Sequence, residues 1–182
     1  MSDTAASHKT TLRGPLFYIA IAFSAFQIWM AAYQPLSSQV VRALHVGFVL
    51  LLIYTIYPPF ESARNSFRRF GLAFGWLIGL AGFATGLYQW VFEADLTLRA
   101  GEIVGADWWV GSLLLVLVFE AARRVMGWGL PLVCAIFLAY AVWGQHMPGA
   151  LAHRGYGLEQ ILSQMSFGTE GIYGMRHTLR AT

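Results

Sequence analysis

Charge is what this sequence has least of. Of its 182 residues only 12% are Asp, Glu, Lys or Arg, while 57% are hydrophobic. A soluble domain carries about 25% charged residues, so the deficit places the chain in lipid before any motif is read. There is one cysteine, Cys134, inside an apolar run. An intrachain disulfide is therefore excluded, and the residue reads as a small buried hydrophobe. No nucleophile constellation, Gly-rich phosphate loop or His/Cys metal spacing occurs. The formal charge is +3, but the arginines fall in short clusters beside apolar runs. That is the pattern of the positive-inside rule and not of nucleic-acid binding.

Apolar runs are what the chain does have. They predict an all-α integral membrane protein with five transmembrane helices over residues 15–34, 40–57, 71–91, 108–124 and 128–147. Each is near the roughly 20 residues a helix needs to cross a hydrocarbon core. At that depth a backbone must satisfy its own hydrogen bonds, which forces the helical form. The first run is long for a signal h-region. Pro15 suits a first helical turn, and Pro58-Pro59 stops the second run. Residues 60–70 place Phe67 and Phe70 among Glu61, Arg64, Arg68 and Arg69, an amphipathic interfacial turn. Residues 157–167 form a short amphipathic helix, with Leu158, Ile161, Leu162 and Met165 at helical spacing, lying in the interface or against a partner. A basic tail, residues 175–182, follows a membrane domain of residues 1–174.

With five spans, Lys9, Arg13, Arg64, Arg68, Arg69, Arg123 and Arg124 fall on one side, which makes the N-terminus cytoplasmic. The acidic loop of residues 92–106, with Glu93, Asp95 and Glu102 around a single cation, Arg99, and with Asp107 following it, falls on the other. Arg176 and Arg180 break the rule. Trp90, Trp108, Trp109, Trp128 and Trp143 stand near span ends as an aromatic belt.

Two sets of residues are candidate sites. Gly71, Gly75, Gly79, Gly82 and Gly86 lie near one helical face and let another helix approach closely, either from this chain or from a partner. Arg42, His45, Glu120, Arg123 and Arg124 form a candidate polar cluster. Arg42 and His45 sit near the start of the second span, where snorkelling to the interface is the simplest reading. Glu120 with Arg123 and Arg124 reads as a helix-end ion pair. No catalytic, cofactor or metal residue emerges. No span carries a central charge or a break, so a carrier site is not evident. A haem-binding membrane anchor using His45 with His146 or His153 is the alternative, although His146 and His153 sit at or beyond a span end.

Three stretches in order carry a resemblance. They are Glu120-Ala-Ala-Arg-Arg-Val-Met-Gly-Trp-Gly-Leu-Pro131, then Phe137-Leu-Ala-Tyr-Ala-Val-Trp-Gly144 through Pro148-Gly149, then Leu151-Ala-His-Arg-Gly-Tyr-Gly-Leu-Glu159 through Thr169-Glu-Gly-Ile-Tyr-Gly174. Together they resemble the N-terminal region of fused permeases of tripartite ATP-independent periplasmic (TRAP) transporters, in the TAXI branch; Arg42-Ala-Leu-His45 also fits. The likeness runs from about Leu16 to Gly174 and is most specific from Glu120 onward.

The resemblance implies a multi-pass protein of the bacterial inner membrane and a small, non-catalytic component of a secondary importer of organic anions. Its implied partners are the large permease subunit, which it braces, and a periplasmic TAXI-type solute-binding protein, which it helps to dock. Membrane lipid is implied as surroundings. Uptake would be symport with sodium or protons through the large subunit, with no cofactor in this chain. The departure is at the C-terminus, where fused relatives continue into the large permease part. Here Met175-Arg-His-Thr-Leu-Arg-Ala-Thr182 follows instead. The chain reads either as a separate small subunit or as a truncated, inactive fragment of a fused permease.

Overall fold

The computed structural model describes residues 14–58, 65–99, 103–149 and 152–167, with backbone alone for 65–69. Among them every regular element is helical. The order is α1 (Pro15–Tyr33), α2 (Ser38–Ile56), α3 (Asn65–Val91), α4 (Glu93–Leu98), α5 (Gly105–Met126) and α6 (Gly129–Trp143). A 3₁₀ turn (Gly144–His146), α7 (Leu158–Leu162) and a π-helical turn (Ser163–Phe167) complete it. Four stretches are long and apolar enough to cross a membrane: Pro15–Tyr33, Ser38–Ile56, Phe70–Val91 and Gly129–His146. The predicted span over 108–124 is the middle of α5, which is not one of these four. It carries Asp107 in its first turn and Arg123 and Arg124 in its last.

The helix ends follow local chemistry. Pro15 opens α1, where no backbone donor is required. Gln34 closes α1 in the left-handed region at φ 44°, its N–H bonded to the Met30 carbonyl at 2.9 Å. The Ser37 hydroxyl caps α2 by accepting from the Val40 N–H at 3.3 Å. Gly127, at φ 75°, turns α5 sharply toward α6, a conformation that strains any residue with a Cβ.

The core sits where α2, α3 and α5 meet. Ala43, Leu50, Tyr54, Leu114, Leu117 and Ala121 form its buried cluster. The glycine row settles on the in-chain alternative, because it faces α2. A Cβ on Gly75 would stand 2.6 Å from the Tyr54 carbonyl oxygen, one on Gly79 3.1 Å from that of Leu51, and one on Gly86 2.6 Å from that of Ala43. At Gly82 the neighbour is the Leu50 side chain at 2.9 Å. Gly71 is buried at the head of the same row. Gly47 answers from α2, where a Cβ would lie 3.2 Å from the Phe83 Cα. The two backbones touch, so α2 and α3 gain dispersion contacts that side chains would prevent.

α1 and α6 are peripheral. α1 packs on α2, and α6 packs on α5 and on the 3₁₀ turn that follows it. Cys134 lies on α6 and is exposed, contrary to the buried position expected of it, because α6 sits at the periphery of the described fold. Trp90, Trp108, Trp109, Trp128 and Trp143 are all exposed at or near helix ends.

The acidic loop is partly helical, since α4 occupies its first half. The predicted amphipathic helix over 157–167 begins at Leu158 and widens to a π turn at Ser163. It lies against its own chain. The Ser166 hydroxyl donates to the Gly111 carbonyl at 3.2 Å, and Gln39 Nε2 donates to the Phe167 carbonyl at 3.2 Å. Residues 60–64, the tail 175–182 and Thr169 to Gly174 lie outside the described residues. So do Lys9, Arg13 and Glu102.

Candidate functional site

The candidate polar residues do not form one cluster. α2 and α5 run in the same direction, for Tyr54 meets Leu117 and Tyr57 meets Arg124. The start of α2 and the end of α5 therefore lie at opposite ends of the bundle. Arg42 and His45 belong to one end, and Glu120, Arg123 and Arg124 to the other.

At the end where α5 finishes, Glu120 is held by two guanidinium groups. Arg123 donates through Nε to Oε2 at 2.6 Å and through Nη2 to Oε1 at 2.7 Å; Arg124 Nε donates to Oε1 at 2.8 Å. This is the ion pair expected from the i, i+3 and i, i+4 spacing. The structure adds a second task for Arg124. Its Nη1 donates to the Tyr57 carbonyl at 2.6 Å, satisfying the C-terminus of α2, and its guanidinium lies 4.6 Å over the Tyr54 ring. The Tyr54 side chain is fully buried, and its hydroxyl donates to the Leu117 carbonyl at 2.8 Å. Arg123 lies 5.3 Å over the Trp128 ring. Three charges and two aromatics thus clamp α2, α5 and the turn into α6.

Sequence reasoning missed the site at the other end of α5. Asp107, only 1% exposed, accepts from the Tyr88 hydroxyl at 2.5 Å on Oδ1. Its Oδ2 accepts from Arg99 Nη1 at 2.9 Å and from the Val104 N–H at 3.1 Å. One carboxylate ties α3, the chain after α4, and the first turn of α5. A buried carboxylate is tolerated when it is paired and fully hydrogen-bonded. The available signal was the lone cation in an acidic loop, followed by an acid at a helix start, where the helix dipole favours it. Three donors to one buried carboxylate make a structural knot.

Arg42 and His45 both face α1, as their spacing predicts. His45 Nδ1 meets the Gln27 amide, and its ring packs edge-on against Phe23 at 5.0 Å. Arg42 lines an open cleft of about 430 Å³ between α1 and α2, together with Gln27, Gln34 and Ser38. The other histidine described in a packed setting has different neighbours from this pair. His153 lies over Gly144, 4.6 Å from Tyr140 and 5.9 Å from Tyr156, with Nδ1 2.8 Å from the Arg154 carbonyl oxygen. The two rings share no partner. Among the described residues no three His, Cys, Asp or Glu side chains are grouped so as to hold a metal ion.

The C-terminal segment completes the end that holds Asp107. The Tyr156 N–H donates to the Ala141 carbonyl at 3.0 Å, and the His153 N–H to the Gly144 carbonyl at 3.1 Å. Glycine at 144 leaves the room that the His153 ring fills. In the interior, Thr55 and Thr85 hydroxyls are taken up by the Leu51 and Gly82 carbonyls of their own helices, each at 2.7 Å. Gln89 is buried with its Oε1 lacking a hydrogen-bond partner among the described residues, and nothing in the structure explains it. No protein-family model matches the chain, and no curated protein or solved structure matches it either.

Proposed function

We propose that the chain is the small, non-catalytic membrane component of a TRAP-type secondary importer of organic anions, of the TAXI branch. In this reading it spans the bacterial inner membrane five times with a cytoplasmic N-terminus. α5 is the fourth of these spans in chain order, its charges held at its two ends. The chain braces a large permease subunit, through which uptake is coupled to sodium or protons, and its C-terminal segment offers a periplasmic face to a solute-binding protein.

The observation that carries the reading is the stretch from Glu120 to Glu159, where the resemblance is most specific. Its residues tie α5, α6 and the segment after them into one unit: Glu120 with Arg123 and Arg124, Gly127 at the turn, and Gly144 beneath His153. The polar groups of the core support a bracing role, since Tyr54, Thr55, Arg124 and Asp107 are spent on bonds that hold helix to helix or close a helix on itself. So do the outer faces of α1 and α6, where Ile28 and Phe137 are among the most exposed apolar side chains. Such faces suit lipid or a neighbouring membrane subunit.

Co-expression with the cognate large permease subunit tests the reading. The two are expected to co-purify as a complex in mild detergent. Separate elution, with both well expressed and folded, overturns it.

A further inference from the structure

Between residues 14 and 58 the chain contains no Asp or Glu, and Arg42 is its only Lys or Arg. Arg42 is half-buried and, among the described residues, makes no ion pair or hydrogen bond. Each other arginine with a described side chain inside a long helix, Arg123 and Arg124, is bonded to Glu120. An arginine drawn partly out of water and left without a counter-charge is costly unless an anion joins it.

The surroundings of Arg42 state which kind of anion. The cleft between α1 and α2 holds about 430 Å³, the size of a small-ligand site. Gln27, Gln34 and Ser38 bring two amides and a hydroxyl to its wall. Met30 and Val41 make another part of the wall apolar. The cleft opens where α1 ends and α2 begins, at the end of two candidate spans. Trp29 and Tyr33 stand exposed on another face of α1 near the same end, residue types that settle at the headgroup level. A wall that is polar on one part and apolar on another, at the end of a membrane span, fits an amphiphile. A guanidinium offers a phosphodiester two parallel N–H bonds, which the amides and the hydroxyl can supplement.

We propose that the α1–α2 cleft is a binding site for the phosphodiester headgroup of an anionic membrane lipid, with Arg42 as its cation and Gln27, Gln34 and Ser38 as neutral donors. The lipid's glycerol and first methylenes lie against Met30 and Val41. The proposal rests on this chain's own residues and holds whether or not a large permease subunit is its partner.

The test uses the full chain in mild detergent after its native lipid has been exchanged out. Dihexanoylphosphatidylglycerol is the probe, and native mass spectrometry counts the molecules retained. The wild-type chain is expected to retain one. Arg42→Gln is expected to weaken retention about tenfold, the effect of losing one charge-assisted pair. Arg42→Lys recovers part of it, and Arg154→Gln, which removes an exposed cation outside the cleft, leaves it unchanged. If Arg42→Gln does not fold, Ser38→Ala combined with Gln34→Asn is expected to weaken retention in the same direction. Equal retention by the wild type and a folded cleft variant overturns the proposal. Displacement of the lipid by inorganic phosphate at equal concentration also overturns it, since it assigns the cleft to a soluble anion.

Discussion

Among the five long helices, α1 and α6 carry no charged residue, and they are the two that the fold leaves most uncovered. α2, α3 and α5 carry arginine, histidine, aspartate or glutamate together with the close-packing glycines, and they form the core. In water the ranking would run the other way, because apolar surface is driven inward. In lipid an apolar side chain gains little by leaving hydrocarbon for a protein interior. Helices meet through small residues and through polar groups that need a partner. The buried helices are therefore those whose sequences give them something specific to do with a neighbour. The same contrast separates the two ends of α5. Each end has an acid that gathers donors, Asp107 from Tyr88, Arg99 and the Val104 N–H, and Glu120 from Arg123 and Arg124 of its own helix, while the stretch between them packs through Gly111, Leu114 and Leu117.

Three substitutions break or sharpen that contrast. The largest effect is expected at Gly86→Leu. A Cβ there already stands 2.6 Å from the Ala43 carbonyl oxygen, so α2 and α3 must separate. A loss of roughly 3 kcal/mol or more is expected, at the top of the overpacking range, read as a lowered unfolding midpoint in detergent titration. A neutral result would show that backbone contact between these helices is not what holds the core.

Asp107→Asn comes next. It keeps the shape of the side chain and a carbonyl acceptor but removes the charge that Arg99 and the α5 N-terminus face. The expected cost is about 1.5–3 kcal/mol, the value of a hydrogen bond to a charged group. It should be accompanied by faster amide hydrogen exchange through α4, which Arg99 no longer ties down. Unchanged exchange there would mean that α4 is positioned by something other than Asp107.

The smallest effect is expected at Phe137→Leu on α6. Phe137 is 67% exposed, and in the proposed reading its face meets lipid or a partner. In the isolated chain its unfolding midpoint should shift by no more than about 0.5 kcal/mol. In co-purification with the large subunit the same variant separates the two occupants of that face. Loss of the complex assigns the face to the subunit, and retention assigns it to lipid.

Much of this architecture was legible in the sequence because a membrane simplifies the code. The observed bounds of α1, α2 and α6 lie within a few residues of the expected ones, since length and apolar composition define a span. α3 starts earlier than expected, at Asn65, because helical backbone continues from the basic turn into the span. The Glu120–Arg123–Arg124 ion pair was legible because its spacing is local. Arg124 as the cap of α2, at Tyr57, was not, because the contact joins residues far apart in the chain. The Asp107 knot was hidden for the same reason, as Tyr88 and Arg99 reach it from different elements.

The sequence by itself determined that the chain is helical, that most of its long runs suit lipid, and that a glycine row would receive a neighbour. These follow from composition and from periodicities of a few residues. The tertiary structure decided that the neighbour is α2, that the polar candidates divide between two ends, and that residues 158–167 fold back onto α5 and α2. It also decided that Arg42, beside a cleft, has no counter-charge among the described residues. Each of these depends on helix direction and on which faces meet. Direction and facing are set by contacts between distant residues, which no local pattern records.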